Sequence, residues 1–180
     1  EFDRTHVQLP RRIAQACVKT GVKRLVHVSA LGVGPGAPSK YLASKTAGET
    51  VLKQAGLELT ILRPSVIFGA EDSFLNLFAM LQSVAPFVPL AGSDARFQPV
   101  WVDDVAAALL KCLDDRATIG QTYECTGPDV YTLRELVQAA GRWAGHERPV
   151  FALPGGLANL QARVMELLPG EPLMSRDNLA

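Results

Sequence analysis

Apolar positions recur along this chain with two alternating periods. From about Val7 to Lys19 they fall at helical spacing (Ile13, Ala14, Cys17 and Val18), and Gly21 follows as a stop. Pro10 fits this helix as a first-turn residue, where its missing amide hydrogen is harmless. Leu25 to Val28 is a short, nearly continuous apolar run, the pattern of a strand covered on both faces. It ends at Ser29 and gives way to a loop rich in glycine and proline. A second helix is expected from about Lys40 to Gln54, with Ser39 as N-cap and Gly56 as its stop. Leu59 to Leu62 reads as a second strand, ended by Arg63-Pro64. Helix, strand, helix, strand in this order predicts an α/β fold with a parallel sheet and crossover helices.

Further along, Phe74 to Val84 reads as a helix and Phe97 to Trp101 as a short strand. Asp103-Asp104 opens a helix through Leu113, its acidic start favourable to the helix dipole. Thr122 to Cys125 is another strand, and Thr132-x-x-Glu135 is a capping box opening a helix to Ala144. Val150 to Leu153 forms a last strand. Leu157 to Leu168 reads as a helix whose apolar stripe is core or a docking face rather than a membrane anchor. No internal repeat or low-complexity segment interrupts the chain.

Composition narrows the class. With 180 residues, 48% hydrophobic and 20% charged, the chain can bury a full core and reads as soluble and globular. Lys+Arg and Asp+Glu are both 18, so no net field points to nucleic acid or an anionic membrane. Cys17, Cys112 and Cys125 are dispersed, and His6, His27 and His146 supply no metal spacing. A reducing, cytoplasmic compartment is expected, with neither a disulfide framework nor a metal site. No apolar run reaches transmembrane length, and no signal-peptide pattern is present. The chain starts without Met and stops at Ser175 to Ala180 without a cap, which reads as a piece of a longer protein.

The candidate chemistry lies in SKYLASK, Ser39 to Lys45. Three Tyr and six Lys in such a chain would match Tyr-x-x-x-Lys by chance about 0.1 times, on average composition. Context adds weight. Reactive groups of open parallel sheets gather at the carboxyl ends of strands, where Ser29 sits. Tyr41 and Lys45, at i and i+4, share a helix face. A Tyr hydroxyl must fall roughly 3 units to exchange protons at neutral pH, about 4 kcal/mol. One ammonium at ~4 Å in an effective dielectric of ~20 supplies about that. Ser29 can hold a carbonyl or hydroxyl oxygen while Tyr41 moves the proton. The hydride must come from a cofactor, because no side chain carries one.

The runs HVSALG, YLASKTAGE, ILRPSVIFG and PVWVDDVA, in this order, resemble the extended or atypical branch of the short-chain dehydrogenase/reductase superfamily. HVQLPRRIAQ, SKYLASKTAGE, RPSVIFGAEDSFLNLFA, QPVWVDDV and EPLMSRDN are similar to the complex I alpha-subcomplex subunit nine family and its bacterial relatives. The resemblance implies a Rossmann-type sheet that binds NADP or NAD, with Ser29, Tyr41 and Lys45 as the catalytic set. Tyr41 and Lys45 would also contact the cofactor, and Pro64, Ser65 and Val66 would lie against the nicotinamide. It further implies that residues 1–70 are the second half of the dinucleotide-binding domain. Residues 71–180 would be the remaining strands and a substrate- or partner-side region.

His6 falls where extended members carry Asn, and is expected to be a surface residue. Gly32-Val-Gly34-Pro-Gly36 reads as the loop between Ser29 and Tyr41, not as the phosphate-binding turn, which the resemblance puts upstream. Two functions stay open. One is an NAD(P)-dependent oxidoreductase, epimerase or dehydratase acting on an unidentified carbonyl or hydroxyl substrate. The other is a non-catalytic nucleotide-binding accessory or assembly subunit of respiratory complex I, peripheral at the cytoplasmic or matrix face of the membrane. A redox-sensing regulator with a protein partner is a third reading.

Overall fold

The structure is a computed structural model and describes residues 2–153. In chain order its elements are α1 (Leu9–Thr20), β1 (Arg24–Val28), α2 (Lys40–Lys53), β2 (Glu58–Pro64), β3 (Ile67–Phe68), α3 (Leu75–Val84), β4 (Val88–Leu90), β5 (Arg96–Phe97), β6 (Val100–Trp101), α4 (Val102–Asp114), β7 (Thr122–Cys125), β8 (Tyr131–Thr132), α5 (Leu133–Trp143) and β9 (Val150–Ala152). The expected helix over 157–168 lies outside the described residues. The elements form two compact units that interleave along the chain. The first takes Glu1–Ser65 and Val102–Thr126; the second takes Val66–Trp101 and the described residues from Gly127 onward.

The first unit is built on a parallel sheet in the order β1-β2-β7. Alternation along the strands sorts its two faces. Leu25, Leu59 and Ile61 point to one side, where they pack with Ala14 of α1 and Leu52 of α2. Arg24 and Thr60 point to the other side, towards α4. This is the α/β arrangement with parallel strands and crossover helices that the periodicity predicts. β1 is less covered than its apolar run suggests, since all five residues are partly exposed. Among the described residues, β1 has a strand on one side only.

Two prolines change the expected boundaries. β2 runs on through Pro64 instead of ending at Leu62. Pro64 lacks an amide hydrogen, but its carbonyl accepts from Leu31 N–H at 2.8 Å, and Ser65 N–H continues the ladder to Cys125 at 2.9 Å. Pro10 lies in the first turn of α1 as expected, but the helical run begins earlier, at Phe2, and passes through a π-helical segment, Arg4–Gln8. The wider turn sits where Pro10 cannot return an amide to the His6 carbonyl. It pushes that carbonyl towards α2, so that a Cβ on Gly48 would lie 2.0 Å from His6 O.

At the amino end of the sheet, the Arg24 guanidinium gathers four oxygens. Nη1 donates to Glu58 O at 2.6 Å, and Nη2 donates to Thr60 Oγ1 at 2.7 Å, Thr118 Oγ1 at 2.8 Å and the Cys112 carbonyl. These contacts join β1 and β2 to the end of α4 and the turn after it. The rest of the first unit leaves the carboxyl ends of β1 and β2 for the candidate site.

The second unit has its own core, formed by Leu75, Phe78, Val88, Leu90, Leu133, Leu136, Val137, Ala140 and Val150. The capping box of α5 forms as the sequence indicates: Thr132 Oγ1 accepts from Glu135 N–H, and Glu135 accepts from Thr132 N–H. The strand expected from Phe97 to Trp101 is two strands instead. β5 pairs antiparallel with β8 and β6 parallel with β3, with Gln98-Pro99 as the break. Gly141 lets α5 approach α3 at the buried Gln82 amide, which donates to Val137 O at 2.8 Å.

Candidate active site

Ser29 follows β1 directly. Its amide donates to Leu62 O at 2.7 Å, which fixes the residue at the carboxyl end of the sheet. The side chain is 5% exposed, and its Oγ makes no hydrogen bond of normal geometry. A buried hydroxyl without a partner costs on the order of 1–3 kcal/mol, so it marks a place built for something other than packing.

The segment after Ser29 is a loop, as its glycines and prolines indicate. Gly32 and Gly36 take positive φ (82° and 76°), conformations that a side chain would strain. Gly34 N–H donates to Thr46 Oγ1 at 3.2 Å, tying the loop back onto α2. Ser39 then caps α2 by accepting from Leu42 N–H at 3.1 Å. The cap fixes the helix phase, and with it the face on which Tyr41, Lys45, Glu49 and Lys53 follow one another at four-residue intervals.

Tyr41 is half-buried beneath the bulged segment before α1. His6 meets its ring edge-on with centroids 5.3 Å apart, and Phe2 stacks on His6 at 5.6 Å. His6 Nδ1 is 2.8 Å from Ser44 Oγ, which in turn donates to Tyr41 O at 2.7 Å. The expectation of a surface histidine at position 6 is therefore wrong. The π-helical widening turns His6 into a packing partner of Tyr41. Lys45 Nζ lies 5.8 Å from the Tyr41 ring centroid, over the ring.

Glu49 is 2% exposed and lies one turn beyond Lys45. Arg63, at the end of β2, grips it with two bonds, Nε to Oε1 at 2.9 Å and Nη2 to Oε2 at 2.8 Å. Lys53 Nζ adds a third at 3.1 Å. Burial pushes this carboxyl upward. Hydrogen bonds from Arg63, then the nearby Ser29 hydroxyl and the Lys53 hydrogen bond, with the Arg63 charge, overcome burial and hold it at about 2. The Ser29 interaction is electrostatic proximity, since its Oγ falls short of hydrogen-bond geometry. Burial lowers the Lys45 ammonium from its ordinary value, and Glu49 opposes this. Burial also lowers His27, helped by the Lys45 charge, opposed by Glu49 and helped further by His6.

Ser29, Tyr41, Lys45, Pro64 and Ser65 thus belong to the first unit, at the carboxyl ends of β1 and β2 and on the helix between them. Val66 is the first residue of the second unit, where its carbonyl accepts from Val100 N–H at 2.9 Å. Glu49, Arg63 and His6 complete the cluster and are outside the Ser, Tyr-x-x-x-Lys pattern. Glu49 had a signal in the sequence, since it continues the four-residue interval on α2. His6 had a weaker one, a proline four residues downstream inside a helical run.

The geometry has counterparts among known proteins. Over 181 residues the chain is 35% identical to the mouse mitochondrial NADH dehydrogenase [ubiquinone] 1 alpha subcomplex subunit 9, covering 99% of this chain and 48% of that protein. It is 30% identical over 156 residues to a ceramide reductase of Caulobacter vibrioides, covering 85% of this chain and 48% of that one. The chain spans less than half the length of these relatives. The crystal structure of dTDP-4-dehydrorhamnose reductase from Bacillus anthracis in complex with NADP shares the fold, with a TM-score of 0.74 and 21% identity over 84% of this chain and 57% of that one. The family model described as NAD(P)H-binding matches residues 3–116, across both strands and both helices that carry the cluster. The chain is a member of the NAD(P)H-binding family and has a Rossmann-type fold.

Proposed function

We propose that this chain supplies the nicotinamide-side part of an NAD(P)-dependent short-chain dehydrogenase/reductase-type enzyme, an oxidoreductase or epimerase acting on a carbonyl or hydroxyl group. The observation that carries this reading is the buried Ser29 hydroxyl, which makes no hydrogen bond of normal geometry and lies at a strand end beside the helix of Tyr41 and Lys45. Such a hydroxyl suits a substrate oxygen. The half-buried Lys45 ammonium suits ribose hydroxyls, and Pro64, Ser65 and Val66 suit the nicotinamide ring. These residues therefore fit the dinucleotide. A nicotinamide held there would supply the hydride chemistry. Tyr41 moves the proton at its hydroxyl, Ser29 orients the reacting oxygen, and Lys45 holds positive charge close to the Tyr41 ring. In this reading residues 1–70 carry the dinucleotide side, and residues 71–180 face the substrate or a partner.

The test uses the full-length protein with NADH or NADPH and a panel of aldehydes, ketones, lipid carbonyls and nucleotide sugars. Tyr41→Phe is expected to lower turnover at least a thousandfold while leaving dinucleotide affinity within about threefold. Unchanged turnover in the variant would remove Tyr41 from the chemistry.

The likeness to a complex I subunit supports a second reading: a nucleotide-holding accessory or assembly subunit, peripheral to the membrane. Its mark would be co-purification with complex I subunits, with bound NADPH that no member of the panel oxidises. Among the described residues no helix is long and apolar enough to cross a membrane.

A further inference from the structure

The ladder of side chains on α2 continues past Lys45, and its next rung is a carboxylate almost fully withdrawn from water. A buried ion pair is seldom needed for packing, because apolar residues of the same volume fill such a place at least as well. Here Arg63 spends its planar fork on Glu49, with bonds of 2.9 and 2.8 Å, and Lys53 takes the remaining approach at 3.1 Å. The result is a fixed carboxylate, paired with Arg63 and Lys53, on the face of α2 that carries Lys45, one helical turn away.

Lys45 has no direct ion pair among the described residues. The groups that act on it come from two elements. On α2 they are the Tyr41 ring and Glu49. From β1 comes His27, which burial and the Lys45 charge hold towards its neutral form; Arg63, from β2, reaches this set only through its bonds to Glu49. Glu49 is the one acid in this set.

This step rests on the reading that Lys45 works at the nicotinamide end. We infer that Glu49 is a positioning residue: its carboxylate, locked by Arg63, is the counter-ion that keeps the half-buried Lys45 ammonium charged and seated against the Tyr41 ring. The two members of the pair then act on Lys45 with opposite signs. Removing the Glu49 charge leaves burial unopposed, so Lys45 should lose its proton more easily. Removing Arg63 leaves Glu49 ionised at the alkaline pH where lysine titrates, but less neutralised, so Lys45 should hold its proton more tightly.

The experiment follows the Lys45 side chain by NMR in full-length protein carrying labelled lysine, with the signal assigned through Lys45→Arg. Glu49→Gln is expected to lower the Lys45 midpoint by about one unit, a tenfold loss of proton affinity. Arg63→Gln is expected to raise it, and Glu49→Asp to leave it near the wild-type value. Equal midpoints in wild type and a cooperatively melting Glu49→Gln protein would overturn the inference, as would shifts of the same sign in Glu49→Gln and Arg63→Gln. If Glu49→Gln does not fold, Arg63→Gln decides alone, and an unmoved or lowered midpoint overturns it. NADPH binding is measured on the same samples. A wild-type protein that binds no dinucleotide refutes the proposed function and leaves the Lys45 titration to decide this inference by itself.

Discussion

Glu49 makes the first unit sensitive to acid. Its carboxyl is held at about 2 in the folded chain against an ordinary value of 4.5. The folded value is depressed, so the stabilisation is fully present above about pH 4.5 and is lost as pH falls towards 2. The shift corresponds to about 3 kcal/mol. Urea denaturation of wild type and Glu49→Gln should show a large stability gap at pH 6 that narrows below about pH 4.5 and closes only at about pH 2; a gap independent of pH would show that the ion pair contributes nothing through ionisation. Ser29 should behave in the opposite sense. Ser29→Ala deletes a buried hydroxyl that makes no hydrogen bond of normal geometry, so stability should hold within about 1 kcal/mol while turnover falls. Thermal melts alongside turnover assays check this, and a clear loss of stability would show that the hydroxyl is satisfied in the native state. Ser29, Tyr41 and Lys45 were legible because their signals are local: a residue ending an apolar run, and an i, i+4 spacing on one helix. Arg63 and His6 were not, because their roles depend on which strand and which helix turn come to lie beside α2.

At the scale of elements, α1 and α2 fit because Gly48 has no side chain. An Ala Cβ there would lie 2.0 Å from His6 O, a backbone atom that cannot swing away. In an unconstrained helix Gly→Ala gains about 1 kcal/mol. Here the collision should dominate, and Gly48→Ala is expected to destabilise by about 3 kcal/mol or more, measured by urea denaturation. A stabilised variant would mean that the helices separate at little cost. The helices themselves were readable from period and caps, as Ser39, Gly56 and the Thr132–Glu135 box show. The bulge in the helical run before Pro10 was less readable, because a proline near a helix start has two meanings that only the upstream residues separate. The two-residue strands β3, β5, β6 and β8 are too short to display a period of two. Pro99 divides what reads as one strand, and the two halves find different partners.

At the scale of the molecule, parallel α/β architecture followed from the order of elements, but the interleaving did not. Nothing in the amphipathic period of α4 says that it returns to the sheet of β1 and β2 rather than staying with β3 to β6. On the proposed function, NADPH added to the full-length protein should slow hydrogen exchange most in peptides covering residues 29–45 and 61–66. Protection confined to residues 75–100 would count against a nicotinamide site at the ends of β1 and β2. The Arg24 clamp is where the interleaving has its sharpest consequence. Its acceptors at Cys112 and Thr118 stand 88 and 94 residues downstream, on the far side of an entire segment of the other unit. During synthesis, the guanidinium therefore waits until almost two thirds of this sequence has been made before its last partners exist. A nascent chain arrested before Cys112 should remain open to protease at β1 and β2, and one extending past Cys125, with β7 in place, should be protected there. The sheet that bears the candidate site is, in this sense, completed late by a segment far from the site in sequence.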